Sequence, residues 1–219
     1  MRAGPRKHRA WSSGNPGNRA IREELARAAL REAPLPATGD VLDAGCGGGW
    51  WLRRLTAEGV GPGRLHGLDL LEERLRAARA ACPDAAFTVG DVTRLPYADR
   101  RFAAVFLLTV LSSLPDRDAV RRAVAESWRV LAPGGSLVIW EPRMPTPLNR
   151  HTRLVTRGDL KAATGHAPRS RTLTVLPPLS RRLGRATATA YPALAGIPVL
   201  RTHRLHVLTR PAASLSNRP

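Results

Sequence analysis

The chain has 219 residues, a formal net charge of +18 at pH 7 and a hydrophobic fraction of 43%. That length holds one α/β domain with a full core and leaves no room for a second of ordinary size. The longest apolar stretch, residues 103–111, is far short of the roughly 20 residues of a membrane-spanning helix.

The N-terminus is basic (Arg2, Arg6, Lys7, Arg9), but Ser12-Ser13-Gly14-Asn15 stands where a signal peptide would carry its apolar segment. The sequence therefore reads as cytoplasmic and without a membrane partner. Cys46 and Cys82 are too few for a disulfide framework, and neither sits in a metal-ligand spacing. Lys7 and Lys161 are the only lysines among 35 basic residues. Such an arginine skew, alongside abundant Ala, Gly and Pro, is compositional before it is functional. The field would still attract anions, nucleic acid included. The arginines are scattered, however, and lack interleaved aromatics, which favours solvated helix faces over a nucleic-acid patch.

Residues 1–17 read as a flexible basic arm ending in the turn-rich Gly14-Asn15-Pro16-Gly17. Ile21, Leu25, Ala28 and Ala29 recur at helical spacing and predict a helix over 18–31, stopped by Pro34 and Pro36. A strand over 40–44 runs into Gly45-Cys46-Gly47-Gly48-Gly49, and a helix over 50–58 follows. Strands are expected over 65–70, 87–89, 105–108 and 136–140, with helices over 71–81 and 117–131 between them. Beyond residue 141 the pattern predicts a short helix over 159–164, a strand over 172–176, a helix over 179–194 and a last strand over 200–208. Residues 211–219 read as a frayed tail. Strands and helices alternating at this interval imply right-handed crossovers, hence a doubly wound, mostly parallel seven-stranded α/β sheet. The last two strands are expected as an antiparallel C-terminal edge hairpin. One domain over 18–210 results, with a cofactor-binding half at 38–141 and an acceptor-side half at 142–210.

Ligands of open α/β sheets bind beyond the carboxyl ends of the strands, at the switch point beside the first. Three such ends carry an acid: Asp43, Asp69 and Asp91. An acid directly before the glycine turn repels a pyrophosphate and suits a cationic ligand. Gly45, Gly47 and Gly49 let the backbone turn sharply and approach that ligand. Asp69 is placed to accept from two ribose hydroxyls, and Asp91 from an exocyclic adenine amine. A dinucleotide fingerprint would need a third glycine where Trp50 stands, which excludes it.

Val41-Leu42-Asp43-Ala44-Gly45-Cys46-Gly47-Gly48-Gly49, Gly67-Leu68-Asp69-Leu70, Gly90-Asp91-Val92-Thr93-Arg94-Leu95-Pro96-Tyr97 and Arg129-Val130-Leu131-Ala132-Pro133-Gly134-Gly135 together resemble a class I S-adenosylmethionine-dependent methyltransferase of the small ubiquinone-biosynthesis-like kind. The resemblance covers about residues 38–141 and implies the Rossmann-like methyltransferase fold, with S-adenosyl-L-methionine as cofactor. It implies that Asp43 and Gly45 hold the methionyl end of the site, Asp69 the ribose and Asp91 with Val92 the adenine, while Leu108 and Thr109 line the methionine moiety. Ala44, Cys46, Gly47, Gly49, Leu70 and Gly90 complete the expected cofactor-binding set. Two features depart from the family. Ala103 replaces an acid before the fourth strand, and Ser112 and Ser113 stand where histidines are common. These leave cofactor binding intact and put histidine-assisted chemistry at that edge in doubt.

The acceptor is expected beyond strands four and five, under the N-terminal helix, with Ser112, Ser113 and Arg143 as substrate-binding residues. Glu141 and His151 have the chemistry of a general base, although methyl transfer needs positioning more than proton removal. Asn18 and Arg19 read either as a closure over the cofactor or as an ordinary helix start. His8, His66, His166, His203 and His206 share no metal-ligand spacing, and no metal is expected. The sequence thus points to an enzyme that methylates a small-molecule acceptor, at oxygen, in specialised or saccharide-type metabolism. An RNA methyltransferase and a non-catalytic cofactor-binding scaffold stay open, as does the oligomeric state.

Overall fold

A computed structural model describes residues 14–145 and 152–212 of the chain. Most of the predicted N-terminal arm, His151 and most of the predicted tail lie outside the described residues. The elements run α1 (Pro16–Glu32), β1 (Asp40–Ala44), α2 (Trp50–Ala57), β2 (Leu65–Asp69), α3 (Glu72–Ala81), β3 (Ala86–Val89), β4 (Phe102–Leu108), α4 (Arg117–Val130) and β5 (Leu131–Pro142). After them come α5 (Arg157–Thr164), β6 (Arg169–Val175), α6 (Pro177–Arg182), α7 (Thr187–Ala195) and β7 (Arg201–Thr209). The seven strands form one sheet in the order β3-β2-β1-β4-β5-β7-β6. The strand order reverses between β1 and β4, so their carboxyl ends form the crevice in which such sheets bind ligands.

Strands β1 to β5 are parallel, and β7 runs antiparallel to both β5 and β6. The expected antiparallel pair is present at the sheet's edge. β7 lies inside the sheet against β5, β6 forms the edge, and two helices connect them in place of a hairpin turn. Because β7 is reversed, its first residues lie at the carboxyl ends of β4 and β5: His203 is level with Pro142, and Trp140 with both Leu108 and Leu205.

Burial on both faces explains the near-continuous apolar strands. Val41, Phe106, Val138, Trp140, Leu205 and Val207 face a core closed by Ile21 and Leu25 of α1 and by Trp51, Leu52 and Leu55 of α2. Leu42, Val105, Leu107, Leu137 and Ile139 face the other side, against Val120, Val124 and Leu160 of α4 and α5. Each fully buried Leu, Ile or Phe contributes about 1.5–3 kcal/mol relative to exposure.

Several predicted boundaries shift for local reasons. α1 begins at Pro16, two residues before the predicted start, because Asn15 caps it by accepting from the Asn18 N–H and proline at the first position forfeits no hydrogen bond. Pro177 likewise opens α6 directly after β6. The single helix predicted over 179–194 is two, separated at Gly184, whose φ of 51° no continuous helix can hold. β5 starts five residues early by bulging at Pro133-Gly134-Gly135; a Cβ on Gly135 would lie 2.8 Å from the Ala132 carbonyl and 2.9 Å from the Ala103 carbonyl.

Many of the arginines act as internal braces. Arg64 donates to the carbonyls of Pro36, Ala37 and Gly39, and Arg210 to those of Trp128, Arg129 and Leu131. Arg129 holds the carbonyls of Leu95 and Tyr97 together with the carboxylates of Glu126 and Asp99. These bonds reach carbonyls of the loops at 36–39 and 95–97, of the last turn of α4 and of the first residue of β5. Among the described residues no helix is long and apolar enough to cross a membrane.

The start of α1 is clamped to α6 at backbone distance. A Cβ on Gly17 would overlap the Ser180 carbonyl, whereas one on Gly63 meets nothing within 4 Å. Gly17→Ala is therefore expected to lower unfolding stability by about 1–3 kcal/mol, with Gly63→Ala unchanged. Urea denaturation of the two variants checks this, and equal midpoints would refute the clamp.

Candidate functional site

The turn after β1 is held in shape by its neighbour strand. The Gly45 and Cys46 N–H groups both donate to the Leu68 carbonyl, at 2.6 and 2.9 Å, and the Gly49 N–H donates back to Cys46. Gly45, Gly47 and Gly49 have φ of 88°, 53° and 74°, in the left-handed region where a side chain is strained. A Cβ on Gly45 would also overlap Val110, while one at Gly47 or Gly48 meets no atom within 4 Å. The turn thus presents bare backbone to open space at the sheet's carboxyl edge.

Asp69, at the end of β2, joins the two turns. Its Oδ2 accepts from the Gly47 N–H and its Oδ1 from the Leu71 N–H, both at 3.0 Å, with Arg74 at 3.8 Å. Leu70, the next residue, is 65% exposed, and Val89 at the end of β3 is half exposed. Together they are an apolar shelf beside the Asp69 carboxylate. Gly90 donates to the Asp69 carbonyl at 3.1 Å, and a Cβ there would press on Leu68 at 2.9 Å. Asp91 is exposed, its Oδ1 accepting from the Thr93 N–H at 2.8 Å, and Val92 is buried below it.

Asp43 is different in kind. It is 2% exposed, and no described residue donates a hydrogen bond to its carboxylate. Burial, with the nearby Asp69 charge second, pushes it up to about 8. Ala44 behind it is fully buried. Cys46 donates weakly to the Gly47 carbonyl at 3.8 Å, and burial raises its thiol far above the usual range, so it packs and does not react. Gly67 leaves room for it: a Cβ there would lie 2.9 Å from the Cys46 sulfur.

The acceptor side is built around the exit of β4. Thr109 has a φ of 61°, a strained conformation for a β-branched residue. It is pinned there by its N–H to the Trp140 carbonyl at 2.8 Å and its hydroxyl to the Leu108 carbonyl at 2.6 Å. The chain then makes a single 3₁₀ turn, Leu111–Ser113, with Ser112 buried and Ser113 exposed. Glu141 of β5 braces that turn. Its Oε1 accepts from the Leu111 N–H at 2.7 Å and its Oε2 from the Ser112 N–H at 3.2 Å, and it is 1% exposed. Burial pushes it up to about 7. Both oxygens serve the backbone, which places Glu141 as a positioning group for the turn and not at an acceptor.

Arg143 is likewise engaged, donating from Nη1 to the Arg201 carbonyl at 2.8 Å and from its N–H to the Thr202 carbonyl at 3.0 Å. Arg153 ties the following segment to the turn through the Ser112, Leu114 and Pro115 carbonyls. Asn18 is fully buried, its Oδ1 accepting from Arg181 Nε at 3.0 Å, while Arg19 is exposed. Trp50 fills the position that excluded the dinucleotide reading, packed edge-on to Trp51 at 5.3 Å and under Arg22.

The structure therefore gathers Asp43, the glycine turn, Asp69, Leu70, Gly90, Leu108 and Thr109 along one edge, with Ser112 and Ser113 beyond. The sequence reading passed over the pair Trp140 and His203 at that same edge. Its one signal was a histidine in alternation with apolar residues on a terminal strand.

The family model described as a methyltransferase domain matches residues 41–135. A trans-aconitate 2-methyltransferase from Variovorax paradoxus (strain S110) is 30% identical over 194 residues, covering 88% of this chain and 71% of the relative. A malonyl-acyl-carrier-protein O-methyltransferase from Erwinia billingiae (strain Eb661) is 31% identical over 143 residues, covering 58% and 53%. The chain spans about a third to a half of the length of the first curated relatives it matches, at 36%, 53% and 32%. Among solved structures, the N-methyltransferase NodS from Bradyrhizobium japonicum WM9 in complex with S-adenosyl-L-homocysteine superposes with a TM-score of 0.65 at 18% identity, over 95% of this chain and 94% of that one. That likeness is one of fold.

Asp43 and Glu141 also set a pH dependence. Both hold a proton in the folded chain at pH values where the unfolded chain has released it. Their stabilisation is complete below about pH 4 and is lost as pH rises through about 7 and 8. Thermal unfolding of the ligand-free protein should therefore show stability falling from about pH 6.5 to pH 8, by up to about 1.4 kcal/mol per pH unit per group; at lower pH His203 and His206, whose protonation burial disfavours, act in the opposite sense. Asp43→Asn should flatten that fall above pH 7; an unchanged slope would contradict the buried, unpaired carboxyl.

Proposed function

The chain belongs to the class I S-adenosylmethionine-dependent methyltransferases, and from that premise we propose that it transfers the cofactor's methyl group to a small-molecule acceptor, at oxygen, in specialised or saccharide-type metabolism. The observation that carries the proposal is Asp43, a buried carboxylate with no described hydrogen-bond donor, directly beneath a turn of three left-handed glycines.

The residues present fit the cofactor on three counts. Asp43 offers an uncompensated negative charge to a ligand cation. Gly45 and Gly47 offer backbone with no Cβ in the way. Asp69 offers a carboxylate already oriented by two N–H donors, beside the exposed face of Leu70. On this reading Asp43 and the glycine turn hold the amino-acid end, and Asp69 accepts from the ribose. Leu70, Gly90, Asp91 and Val92 enclose the adenine, and Leu108 and Thr109 line the methionine moiety.

When bound, the cofactor supplies a methyl group already activated on a sulfonium cation. The protein's part is then to bring the acceptor into line and keep water away. The Thr109 conformation and the braced Leu111–Ser113 turn fix the edge along which the acceptor lies. Ser112, Ser113 and Arg143 are proposed as its contacts. Glu141 holds that turn, and His151 remains a candidate base. The O-methyltransferase among the relatives supports methylation at oxygen, and the trans-aconitate methyltransferase supports a small acceptor. So do the many arginines spent on internal carbonyls, which leave the high charge without need of a nucleic-acid partner.

Titration calorimetry tests the cofactor assignment. S-adenosylmethionine should bind, and Asp69→Ala should weaken it roughly 10–100-fold, or about 1.4–2.8 kcal/mol. Because the ligand cation ionises Asp43, binding between pH 6 and 7 should release close to one proton, seen as heat that varies with the buffer's ionisation enthalpy. No binding, or no proton release, would refute the proposal. Formation of S-adenosylhomocysteine over a panel of hydroxyl and carboxyl acceptors would extend it, whereas methylation of RNA alone, or tight binding without turnover on any acceptor, would overturn the small-molecule reading.

A further inference from the structure

Two polar groups beside the acceptor edge are left open by the arrangement so far, and both lie in one pair of stacked rings. The His203 imidazole of β7 lies on the Trp140 indole of β5, with centroids 4.5 Å apart and planes 18° apart. Both residues are 4% exposed. Trp140 Nε1 is buried with no hydrogen-bond partner among the described residues. An orphaned indole N–H at such a site costs about 1–3 kcal/mol, which an occupant able to accept from it would recover.

The histidine's tautomer follows from its neighbours. The Thr202 hydroxyl has a single proton, and it donates that proton to the Thr174 carbonyl at 3.2 Å. At the 3.0 Å contact between Thr202 Oγ1 and His203 Nδ1 the hydroxyl can then only accept. With the Thr202 proton given to that carbonyl, Nδ1 carries the hydrogen and Nε2 keeps a lone pair that no described residue uses. Burial, and the Arg181 charge second, push the ring down to about 4, so it is neutral at physiological pH.

Position completes the case. His203 is level with Pro142 at the carboxyl end of β5, and the Trp140 carbonyl is the acceptor that pins Thr109. Arg181, which reaches Asn18 at the start of α1, closes the same corner. An open donor and an open acceptor on stacked rings match a hydroxyl, the group that offers both a lone pair and a proton.

Resting on the methyltransferase reading above, the geometry points to His203 as the residue that takes the proton of the acceptor's hydroxyl, with Trp140 as its partner in recognising that hydroxyl. In the step, the acceptor oxygen forms a bond to the methyl carbon as the carbon–sulfur bond breaks. The bonding pair stays on sulfur, which leaves as a neutral thioether, and the hydroxyl proton passes to His203 Nε2. The positive charge thereby moves from sulfur to the imidazole. A weak base suffices, because an oxygen becoming methylated is far more acidic than an imidazolium. Thr202 and the Thr174 carbonyl act as positioning groups that fix the tautomer.

The test uses the full chain, labelled with nitrogen-15 and saturated with S-adenosylhomocysteine. Long-range nitrogen–proton correlations should show His203 protonated on Nδ1 and bare on Nε2 from pH 6 to 8. Phenol, a flat ring bearing one hydroxyl, should then shift the His203 Nε2 and Trp140 Nε1 signals as it is titrated. His203→Asn keeps a donor towards Thr202 but has no group in place of Nε2. It should weaken phenol binding about tenfold, roughly 1.4 kcal/mol, with S-adenosylhomocysteine affinity unchanged. The opposite tautomer, no response of His203 to phenol, or equal phenol binding by the variant would each overturn the assignment. Failure of S-adenosylhomocysteine to bind the native chain is a different result, and it would remove the methyltransferase reading itself.

Discussion

The Asp69 carboxylate holds the ligand edge together. One oxygen takes the N–H of Gly47 in the turn after β1, and the other takes the N–H of Leu71 in the turn after β2. Two loops from different crossovers are thereby locked to one rigid group at a strand end. The Leu68 carbonyl adds two more bonds to the same turn. The glycines can hold their left-handed conformations only because this lattice repays the order imposed on them. The Asp69 carboxylate is thus fixed in orientation by the chain's own backbone, a form of preorganisation.

At that fixed edge, three acids are buried in two kinds of surroundings. Asp69 and Glu141 both have their oxygens satisfied by backbone N–H groups, and both shape a turn. Asp43 has no such donor. Burial, with the Asp69 charge second, raises its proton affinity. The three carboxylates illustrate how burial alone does not define a role: the hydrogen bonds to each separate the two that shape turns from the one that does not. The strain at Thr109 belongs to the same logic, because its left-handed backbone persists only where the Trp140 carbonyl and the braced 3₁₀ turn over-determine it.

The reversed last strand gives the acceptor side its chemistry. Had β7 run parallel, His203 would have been carried to the far end of the sheet. Antiparallel pairing with β5 instead brings Arg201, Thr202 and His203 to the edge where β4 and β5 end. The connection through α6 is what permits this, and α6 in turn docks on the start of α1 by the close approach at Gly17. The roof, the reversed strand and the stacked Trp140–His203 pair are thus one packing unit.

By itself the sequence determined the sheet class, the strand-end acids and the glycine turn. Each rests on local chemistry: apolar runs of strand length, glycine where φ must be positive, and an acid one residue before the turn. It also excluded the dinucleotide reading through the bulk of Trp50. Helix starts at prolines were blurred, because proline reads equally as a stop and as a first helical residue. Tertiary structure alone decided what the C-terminal part does. The position of β7 inside the sheet depends on pairing between residues about sixty apart in sequence, such as Trp140 and Leu205, which no short-range pattern encodes. The contacts of Glu141 and His203 followed from that pairing, since a hydrogen-bond partner is a matter of distance in space. A glutamate at a strand end and a histidine on an apolar strand look alike in sequence. Their neighbours set them apart.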